Sequence, residues 1–356
     1  MKDSFQPILK MLTMMVGLLL SVTLLTAILI GTIVMVFSGG SLPPLNPSQP
    51  TDMQAIAVAV VDTYKGVIPK EGIWQAPDWS SVDQEPNAED IKYGKELIAN
   101  TSAYLGPNGK VKKISNGMNC QNCHLNAGTA PLGNNYGAVA STYPKVRARS
   151  GQMENVEKRI NDCFERSLNG KALADNSKEM VAMVAYMTWL GKEVPKGESP
   201  KGSGIYEVPF LDRASDPVKG KAVYAQQCQS CHMEDGQGMP KPDKSGHIYP
   251  PLWGDNSYND GAGLFRMSRF AGYVKTNMPL GATFERPLLT DEEAWDVAAY
   301  INSLPRPKKD IRKDWPDISK KPIDHPFGPF SDDFSEEQHK FGPFKPIKEA
   351  RAIASK

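Results

Sequence analysis

The stretch Cys120-Gln-Asn-Cys123-His124 recurs in the second half of the chain as Cys228-Gln-Ser-Cys231-His232. Each is a C-x-x-C-H motif, the attachment signature of a c-type haem. The two cysteines can each form a thioether bond to the porphyrin, and the histidine that follows becomes the proximal ligand of the iron. A single C-x-x-C could instead serve a zinc site or a redox dithiol. Two copies, each with its histidine, indicate two covalently bound haem c groups.

The composition is that of a globular protein without a polyanionic partner. The chain has 356 residues, enough for two or three domains, and 40% of them are hydrophobic. Its net charge of +1 gives no reason to expect nucleic acid binding. Four of the five cysteines belong to the two motifs, and Cys163 is left over. Cytochromes of this kind mature outside the bacterial cytoplasm, where conditions are oxidising, so an unpaired thiol needs an explanation.

Helical patterns flank both motifs in the same order, with one helix before each C-x-x-C-H and a closing helix after it. Thr290 and Glu293 form a capping-box pattern at the start of the second closing helix. We therefore predict a mainly α fold with two cytochrome c-type haem domains in tandem. The predicted segments are a transmembrane anchor (1–40), a linker with a short helix (41–75), cytochrome c domain 1 with the active-site haem (76–197), cytochrome c domain 2 with the electron-transfer haem (198–305), and an irregular Pro-rich C-terminal strap (306–356).

Residues 11–37 carry no charged side chain and are rich in Leu, Met, Val and Ile. As a helix they would extend about 40 Å, enough to cross a hydrocarbon core about 30 Å thick. A cleaved signal peptide is the alternative, but its apolar region should be shorter and end in a small-x-small site. Lys2 and Lys10 precede the span and favour a cytoplasmic N-terminus. The pattern predicts a single-pass protein of the bacterial inner membrane with its haem domains in the periplasm.

The C-terminal tail contains two similar aromatic units, which begin at His325 and His339 and each end in Phe-Gly-Pro-Phe. This much aromatic surface is unusual for a solvated, disordered tail. We expect an irregular strap laid across the domains, in which both histidines are packing residues and not metal ligands.

The sixth iron ligand of the second haem is predicted to be Met278, which lies in the sequence Asn277-Met278-Pro279 after His232. Mono-haem cytochromes commonly present a thioether in this way, and His/Met ligation raises the reduction potential. The alternative interpretation is that Met278 is a buried core residue and does not bind iron. Met267 is a weaker candidate, because no proline follows it.

The first unit has no comparable Met-Pro sequence, and its best candidate is Cys163. The surrounding pattern predicts a helix that begins at the capping residue Asn155. Arg159, Cys163 and Ser167 are spaced four residues apart and therefore share one helix face. The neighbouring guanidinium would lower the pKa of the thiol and favour a reactive thiolate. An inert, buried cysteine remains the alternative.

Two stretches resemble the thiosulfate dehydrogenases, dihaem cytochromes that join two thiosulfates into tetrathionate. They run from Arg159 to Lys171 (RINDCFERSLNGK) and from Pro322 to Phe330 (PIDHPFGPF), and the resemblance covers about residues 70 to 350. The resemblance implies that Cys163 is the axial thiolate of the active-site haem. It also implies that Arg149, Arg159 and Ser167 bind the substrate. Lys275 and Asn277 would lie beside the methionine that ligates the second haem. Some members carry lysine where Asn277 stands and exchange it with methionine on the iron. Asparagine there favours constant His/Met ligation.

The implied reaction oxidises two thiosulfates to tetrathionate, or reduces tetrathionate at the same site, with a cytochrome or another redox protein as electron partner. Arg149, Arg159 and Lys275 could offset the repulsion between the two dianions. Two other classes of function remain open at this point. One is a membrane-tethered dihaem electron carrier, and the other is an electron-delivering subunit of a larger respiratory complex. The first predicts an inert Cys163 and no thiosulfate turnover, and reduction of the haems by thiosulfate alone would separate both from an enzyme.

Overall fold

The computed structural model describes residues 71–354. The predicted transmembrane anchor and the short helix after it lie outside these residues. Within residues 71–354, no helix is both long and apolar enough to cross a membrane. The described part of the chain is mainly helical, as predicted, with two short antiparallel hairpins.

The first half contains six helices and one hairpin. Their bounds are α1 Ala88–Ala99, α2 Thr101–Leu105, α3 Leu125–Gly128, α4 Val139–Thr142, β1 Lys145–Arg147, β2 Gln152–Glu154, α5 Val156–Arg166 and α6 Lys178–Leu190, with 3-10 helices at Trp79–Gln84 and Cys120–Asn122. Asn155 caps α5 by accepting a hydrogen bond from the Lys158 amide, and Ser177 caps α6 in the same way from Met180. These caps satisfy amides that have no partner inside the helix, which explains why the capping residue Asn155 predicted the start of α5.

The second half repeats this arrangement. Its bounds are α7 Pro217–Gln227, α8 Gln229–His232, β3 Met239–Pro240, β4 His247–Tyr249, α9 Met267–Asn277 and α10 Asp291–Ser303, with a 3-10 helix at Gly263–Phe265. Asp216 caps α7, and the predicted capping box of Thr290 and Glu293 is present at the start of α10. Each half therefore places a helix before its C-x-x-C-H motif and closes with a long helix.

A glycine allows the first and last helices to cross closely in each half. A Cβ at Gly94 of α1 would lie 2.0 Å from the carbonyl oxygen of Ala182 in α6. A Cβ at Gly220 of α7 would lie 1.8 Å from the carbonyl oxygen of Asp296 in α10. No side chain larger than hydrogen fits at such distances, so both crossings depend on glycine. In each half, the crossing packs the first and last helices together, and each half has its own hydrophobic core.

The tail differs from the expected irregular strap. Its last part folds into α11 (Glu336–Phe341) and α12 (Lys345–Ala354), after a 3-10 helix at Ile318–Lys320. Phe344 and Ile347 are buried in the core of the second half. The sequence expectation of an irregular tail was wrong here, because aromatic and aliphatic anchors provide the burial that stabilises a short terminal helix.

Both tail histidines are packing residues, as predicted. His339 is fully buried, with Nδ1 2.7 Å from the Ile323 carbonyl oxygen and Nε2 2.8 Å from Asp332. Its ring stacks on Phe330 at 3.7 Å between centroids. His325 is buried against the edge of Trp315.

Candidate functional site

The first C-x-x-C-H motif opens onto a cavity of about 160 Å³ in the first half of the chain. Arg159, Cys163 and Ser167 of α5 and its C-terminal end line the same cavity, so the structure brings all three together with the motif, as the four-residue spacing predicted. The remaining walls are mainly apolar and aromatic, with Tyr136, Tyr143, Phe164 and Met187 among them. A largely apolar cavity with a few convergent polar groups is the usual form of a cofactor site.

Both motif histidines are held in the tautomer that a metal needs. Nδ1 of His124 lies 2.6 Å from the Asn134 carbonyl oxygen, and Nδ1 of His232 lies 2.9 Å from that of Pro250. A carbonyl oxygen can only accept, so each Nδ1 carries the proton and each Nε2 keeps its lone pair. Tyr136 stacks on the His124 ring at 4.5 Å and further restricts its orientation. The two imidazoles therefore fit the role of proximal iron ligands.

Cys163 faces both a cation and the proximal histidine. Arg159 Nη1 lies 2.9 Å from Cys163 Sγ, and His124 is within hydrogen-bonding reach of the same sulfur. Burial opposes ionisation, but the Arg159 charge and the hydrogen bonds from His124 and Arg159 outweigh it and lower the pKa of Cys163 to about 6. The thiolate is thus the favoured form of Cys163 near neutral pH.

The motif cysteines behave in the opposite way. Burial raises the pKa of Cys120, Cys123 and Cys228 to about 12. They are neutral at physiological pH, which suits sulfurs that end as uncharged thioethers. The five cysteines are all free of disulfide bonds. The donor set in the first cavity therefore consists of two sulfurs for attachment, one imidazole, and one thiolate that attachment does not use.

The second motif borders a larger cavity of about 740 Å³. Cys228, Cys231, His232 and Met278 all line it, so the predicted thioether and the proximal imidazole face the same space. Met267, the weaker candidate, is buried in the core and is not among the residues that line this cavity. Burial lowers the pKa of His232, although the hydrogen bond to the Pro250 carbonyl opposes this, and so favours the neutral imidazole that binds metal.

The structure does not bring Lys275 to the first cavity. Its ammonium donates to the Leu289 carbonyl oxygen at 2.6 Å and lies 2.8 Å from Asp291. The expected contribution of Lys275 to offsetting substrate charge finds no support in this arrangement, because a neighbouring carboxylate already neutralises it. Asn277 donates to the Leu132 carbonyl oxygen at 3.2 Å and thereby ties the end of α9 to the first half.

Arg149 contacts the second half and the tail. Its Nη1 donates to the Gly261 carbonyl oxygen at 3.2 Å, and its Nε lies 4.0 Å from Asp314. The Trp315 amide donates to the Arg149 carbonyl oxygen at 2.7 Å, and the guanidinium lies 5.6 Å from the Trp315 ring centroid. Burial and the neighbouring Arg166 lower the pKa of Arg149 to about 10. Arg149 is not among the residues that line the first cavity.

The two cavities are close neighbours. The second cavity is lined in part by Gln121 and Asn122 of the first motif and by Leu125 and Asn126, which directly follow it. Tyr273 of α9 donates to the Asn122 carbonyl oxygen at 2.7 Å. No local sequence pattern indicated that Tyr136, Tyr143 or Tyr273 would belong to these sites, because their contacts are made between distant segments.

Two family models match the chain. The model described as "SoxA/TsdA, cytochrome c domain" matches residues 110–195, and the "Cytochrome c" model matches residues 217–305. Each match includes one C-x-x-C-H motif. Two cytochrome c domains bind two covalently attached haem c groups, in agreement with the donor geometry described above.

Several curated relatives carry the same name. A thiosulfate dehydrogenase from Psychrobacter arcticus is 39% identical over 243 residues, which are 67% of this chain and 71% of that protein. A thiosulfate dehydrogenase from Allochromatium vinosum is 41% identical over 223 residues, which are 62% of this chain and 79% of that protein.

Among solved structures, a thiosulfate dehydrogenase from Marichromatium purpuratum, in its as-isolated form, superposes with a TM-score of 0.60 at 29% identity. The match covers 65% of this chain and 49% of the other, so this chain spans about half the length of that protein. Sequence and structure lead to the same relatives, and the chain therefore belongs to the thiosulfate dehydrogenase family of dihaem c-type oxidoreductases.

Proposed function

We propose that this protein oxidises two thiosulfates to tetrathionate at the first cavity. The observation that carries the proposal is the 2.9 Å contact between Arg159 Nη1 and Cys163 Sγ, inside a cavity that also contains His124. An ordinary electron-transfer cytochrome needs no thiolate beside its haem. A thiolate paired with a guanidinium provides both a sulfur nucleophile and a binding group for an oxyanion.

Cys163 would act as the covalent partner. Its thiolate sulfur bonds to the outer sulfur of one thiosulfate, and two electrons leave, which gives an S-thiosulfonate on the cysteine. A second thiosulfate then attacks the sulfur that is bonded to Cys163. The new sulfur–sulfur bond releases tetrathionate, and Cys163 recovers its thiolate. Sulfur atoms and charge balance, and the net loss is two electrons.

Arg159 would stabilise the charge that this chemistry concentrates. Two thiosulfate dianions held about 5 Å apart repel each other by about 3 kcal/mol even at the dielectric constant of water. The planar guanidinium can donate two hydrogen bonds to a sulfonate group while it stays in contact with the thiolate. Ser167, in the same cavity wall, can donate a further hydrogen bond.

The two haems, when bound, supply one-electron acceptors for the two electrons released. The first would be attached through Cys120 and Cys123, and His124 and Cys163 would supply donors to its iron. The second would be attached through Cys228 and Cys231 with His232 and Met278. The assignment follows the donors that line each cavity. A cytochrome or another redox protein would accept the electrons.

Reduction of tetrathionate is the reverse of the same sequence, and we propose that the site supports it. The Cys163 thiolate would attack a central sulfur of tetrathionate and displace one thiosulfate. The same Arg159 contact favours the thiolate in both directions.

We also propose that residues 11–37 tether the haem domains to the periplasmic face of the inner membrane. Their length without a charged residue, and the lysines before them, support this location. Fractionation of cells that produce the full chain tests it, because a protein released by carbonate washing or osmotic shock alone would contradict a membrane span.

The deciding experiment is a steady-state assay of the holoprotein with thiosulfate and an electron acceptor, and separately with tetrathionate and a reduced viologen. We expect turnover in at least the thiosulfate direction and formation of tetrathionate in a 1:2 ratio to the thiosulfate consumed. A protein that exchanges electrons with small redox proteins but not with thiosulfate would instead be an electron carrier.

A further inference from the structure

A pair of cations lies beside the first cavity in the hairpin β1–β2. Lys145 and Arg147 occupy alternate positions of β1 and are both half-buried, whereas Val146 between them is 64% exposed. Alternate residues of a strand share one face. Lys145 and Arg147 therefore both lie on the inner face of the hairpin.

Tyr143 connects this pair to the cavity. It lines the cavity together with Arg159 and Cys163 and is itself buried. Arg147 Nη1 donates to the Tyr143 hydroxyl at 2.6 Å, and Lys145 Nζ lies 4.7 Å from the Tyr143 ring centroid. Lys145 also donates to the Thr142 hydroxyl at 3.3 Å. The two cations are thus held by neutral groups, one of which forms part of the cavity wall.

In the part of the chain that the structure describes, no carboxylate forms an ion pair with Lys145, Arg147 or Arg159. The carboxylate of Asp162 acts on Arg159 through its charge, but its ion pair is with Lys158. Glu154 is the register partner of Lys145 in the hairpin, but it forms no ion pair with it and does not line the cavity.

The three cations influence one another directly. Burial lowers the pKa of Lys145, and the charges of Arg147 and Arg159 lower it further. Arg159 has the Cys163 thiolate as its counter-ion, whereas Lys145 and Arg147 are half-buried without a carboxylate partner, which is costly unless an anion joins them. This arrangement is what a site for a small oxyanion requires.

We propose that Lys145 and Arg147, with the Tyr143 hydroxyl, form the subsite that holds the second thiosulfate. This inference rests on the proposed function, in which two dianions must meet at one sulfur. The first thiosulfate contacts Arg159 and Cys163. The second approaches along the Tyr143 wall, where Lys145 and Arg147 bind its sulfonate group and direct its outer sulfur toward the sulfur bonded to Cys163. In the reverse direction, the same two cations hold one end of tetrathionate.

The test is a double substitution that removes both charges and leaves an unbranched, polar but shorter side chain at each position, Lys145→Gln with Arg147→Gln. The matched control is Lys219→Gln with Lys221→Gln, which removes the same charge from two exposed lysines of α7 in the second half. Tetrathionate binding is measured by titration calorimetry with each pair of substitutions placed in the Cys163→Gly holoprotein, in which no covalent adduct can form. Half-saturation by thiosulfate is measured by steady-state kinetics.

We expect the hairpin variant to bind tetrathionate at least about tenfold more weakly and to need at least about tenfold more thiosulfate for half-saturation, because each charge-assisted contact contributes that much. The control should keep parental values. The charge-keeping variant Lys145→Arg with Arg147→Lys should recover most of the affinity. A parental haem spectrum in each variant shows that the first haem domain still folds normally.

Parental affinity and half-saturation in the hairpin double-Gln variant would overturn the subsite while leaving the proposed function intact. Equal losses in the α7 control would show that net charge alone is responsible and would also overturn it. If the parent protein turns over neither thiosulfate nor tetrathionate, the proposed function fails, and the subsite fails with it.

Discussion

Arg159 and Cys163 lie one turn apart on the helix α5, and their side chains meet at 2.9 Å between Nη1 and Sγ. This contact distinguishes the first haem site from the second, where the sulfur that shares the cavity with His232 is the thioether of Met278. A thioether cannot ionise and serves electron transfer. The Arg159 guanidinium can bind an anion and the Cys163 thiolate can form a bond to sulfur, and for this reason we propose that the substrate chemistry takes place in the first half of the chain.

Replacing Cys163 by glycine should abolish turnover in both directions while two haems stay covalently attached. The thiolate that would form the sulfur–sulfur bond is then missing, although Cys120 and Cys123 are unaffected. Electron paramagnetic resonance should show loss of a low-spin thiolate signal from the first haem. Cys163→Met is the control, since it restores a sulfur ligand without a nucleophilic thiolate and should stay inactive. Parental activity in Cys163→Gly would refute the covalent role.

Replacing Arg159 by alanine should lower kcat/KM for thiosulfate by about one to two decades. One charge-assisted contact to an anion contributes roughly 1.5–3 kcal/mol. Arg159→Lys should recover part of the loss, because the charge returns but the planar fork does not. Steady-state kinetics of both variants checks this. If the alanine variant keeps the parental kcat/KM, Arg159 does not bind the substrate and is only a charged residue on its helix face.

Replacing Met278 by alanine should change only the second haem. The thioether lines the same cavity as His232 and would raise the reduction potential as an iron ligand. Spectroelectrochemical titration should show one haem potential lowered and the other unchanged. Met267→Leu is the matched control and should leave both potentials in place. If the methionine-to-iron band persists in Met278→Ala, Met278 is not the iron ligand.

Replacing Asp314 by asparagine should weaken thiosulfate handling without touching the haems. Asp314 contacts Arg166 at 2.9 Å and lies 4.0 Å from Arg149, so it holds two arginines at the junction of the tail with the first half. We expect KM for thiosulfate to rise several-fold, with kcat and both haem potentials nearly unchanged. Asp310→Asn, at an exposed ion pair with Arg312, is the control. A change in kcat alone would argue against a positioning role.

The stability of the tail should depend on pH through His325. Burial, and then the Lys321 charge, lower the pKa of His325 to about 3, far below its value of about 6.5 in an unfolded chain. Between these values the unfolded state binds the proton and the folded state does not. Stability is therefore complete above about pH 6.5 and falls by up to about 1.4 kcal/mol per pH unit as the pH decreases toward 3.

Thermal unfolding of the parent and of His325→Gln at pH 7, 6, 5 and 4 measures this contribution. The parent should lose Tm more steeply than the variant as the pH falls through this window, because glutamine has no proton to gain. His247→Gln, at a half-buried histidine outside the tail, provides the comparison. Parallel curves for the parent and His325→Gln would contradict the assignment.

Much of the site could be predicted from the sequence because its signals are local. The C-x-x-C-H spacing fixes attachment and proximal ligation within five residues. Helix starts follow from capping side chains such as Ser177 and Thr290, which bond to amides three residues away. The four-residue spacing of Arg159, Cys163 and Ser167 sets their shared helix face before any tertiary contact forms.

Only the tertiary structure could decide which distant groups meet. Lys275 is neutralised by Asp291, Arg149 contacts Gly261 and the tail, and Lys145 and Arg147 approach the first cavity through Tyr143. Each of these arrangements depends on how separate segments pack and on which carboxylates are already engaged. Sequence periodicity predicts which residues share a face of one helix or strand. The ion-pair partner of a long, charged side chain depends instead on which opposite charges the folded chain places within a few ångströms.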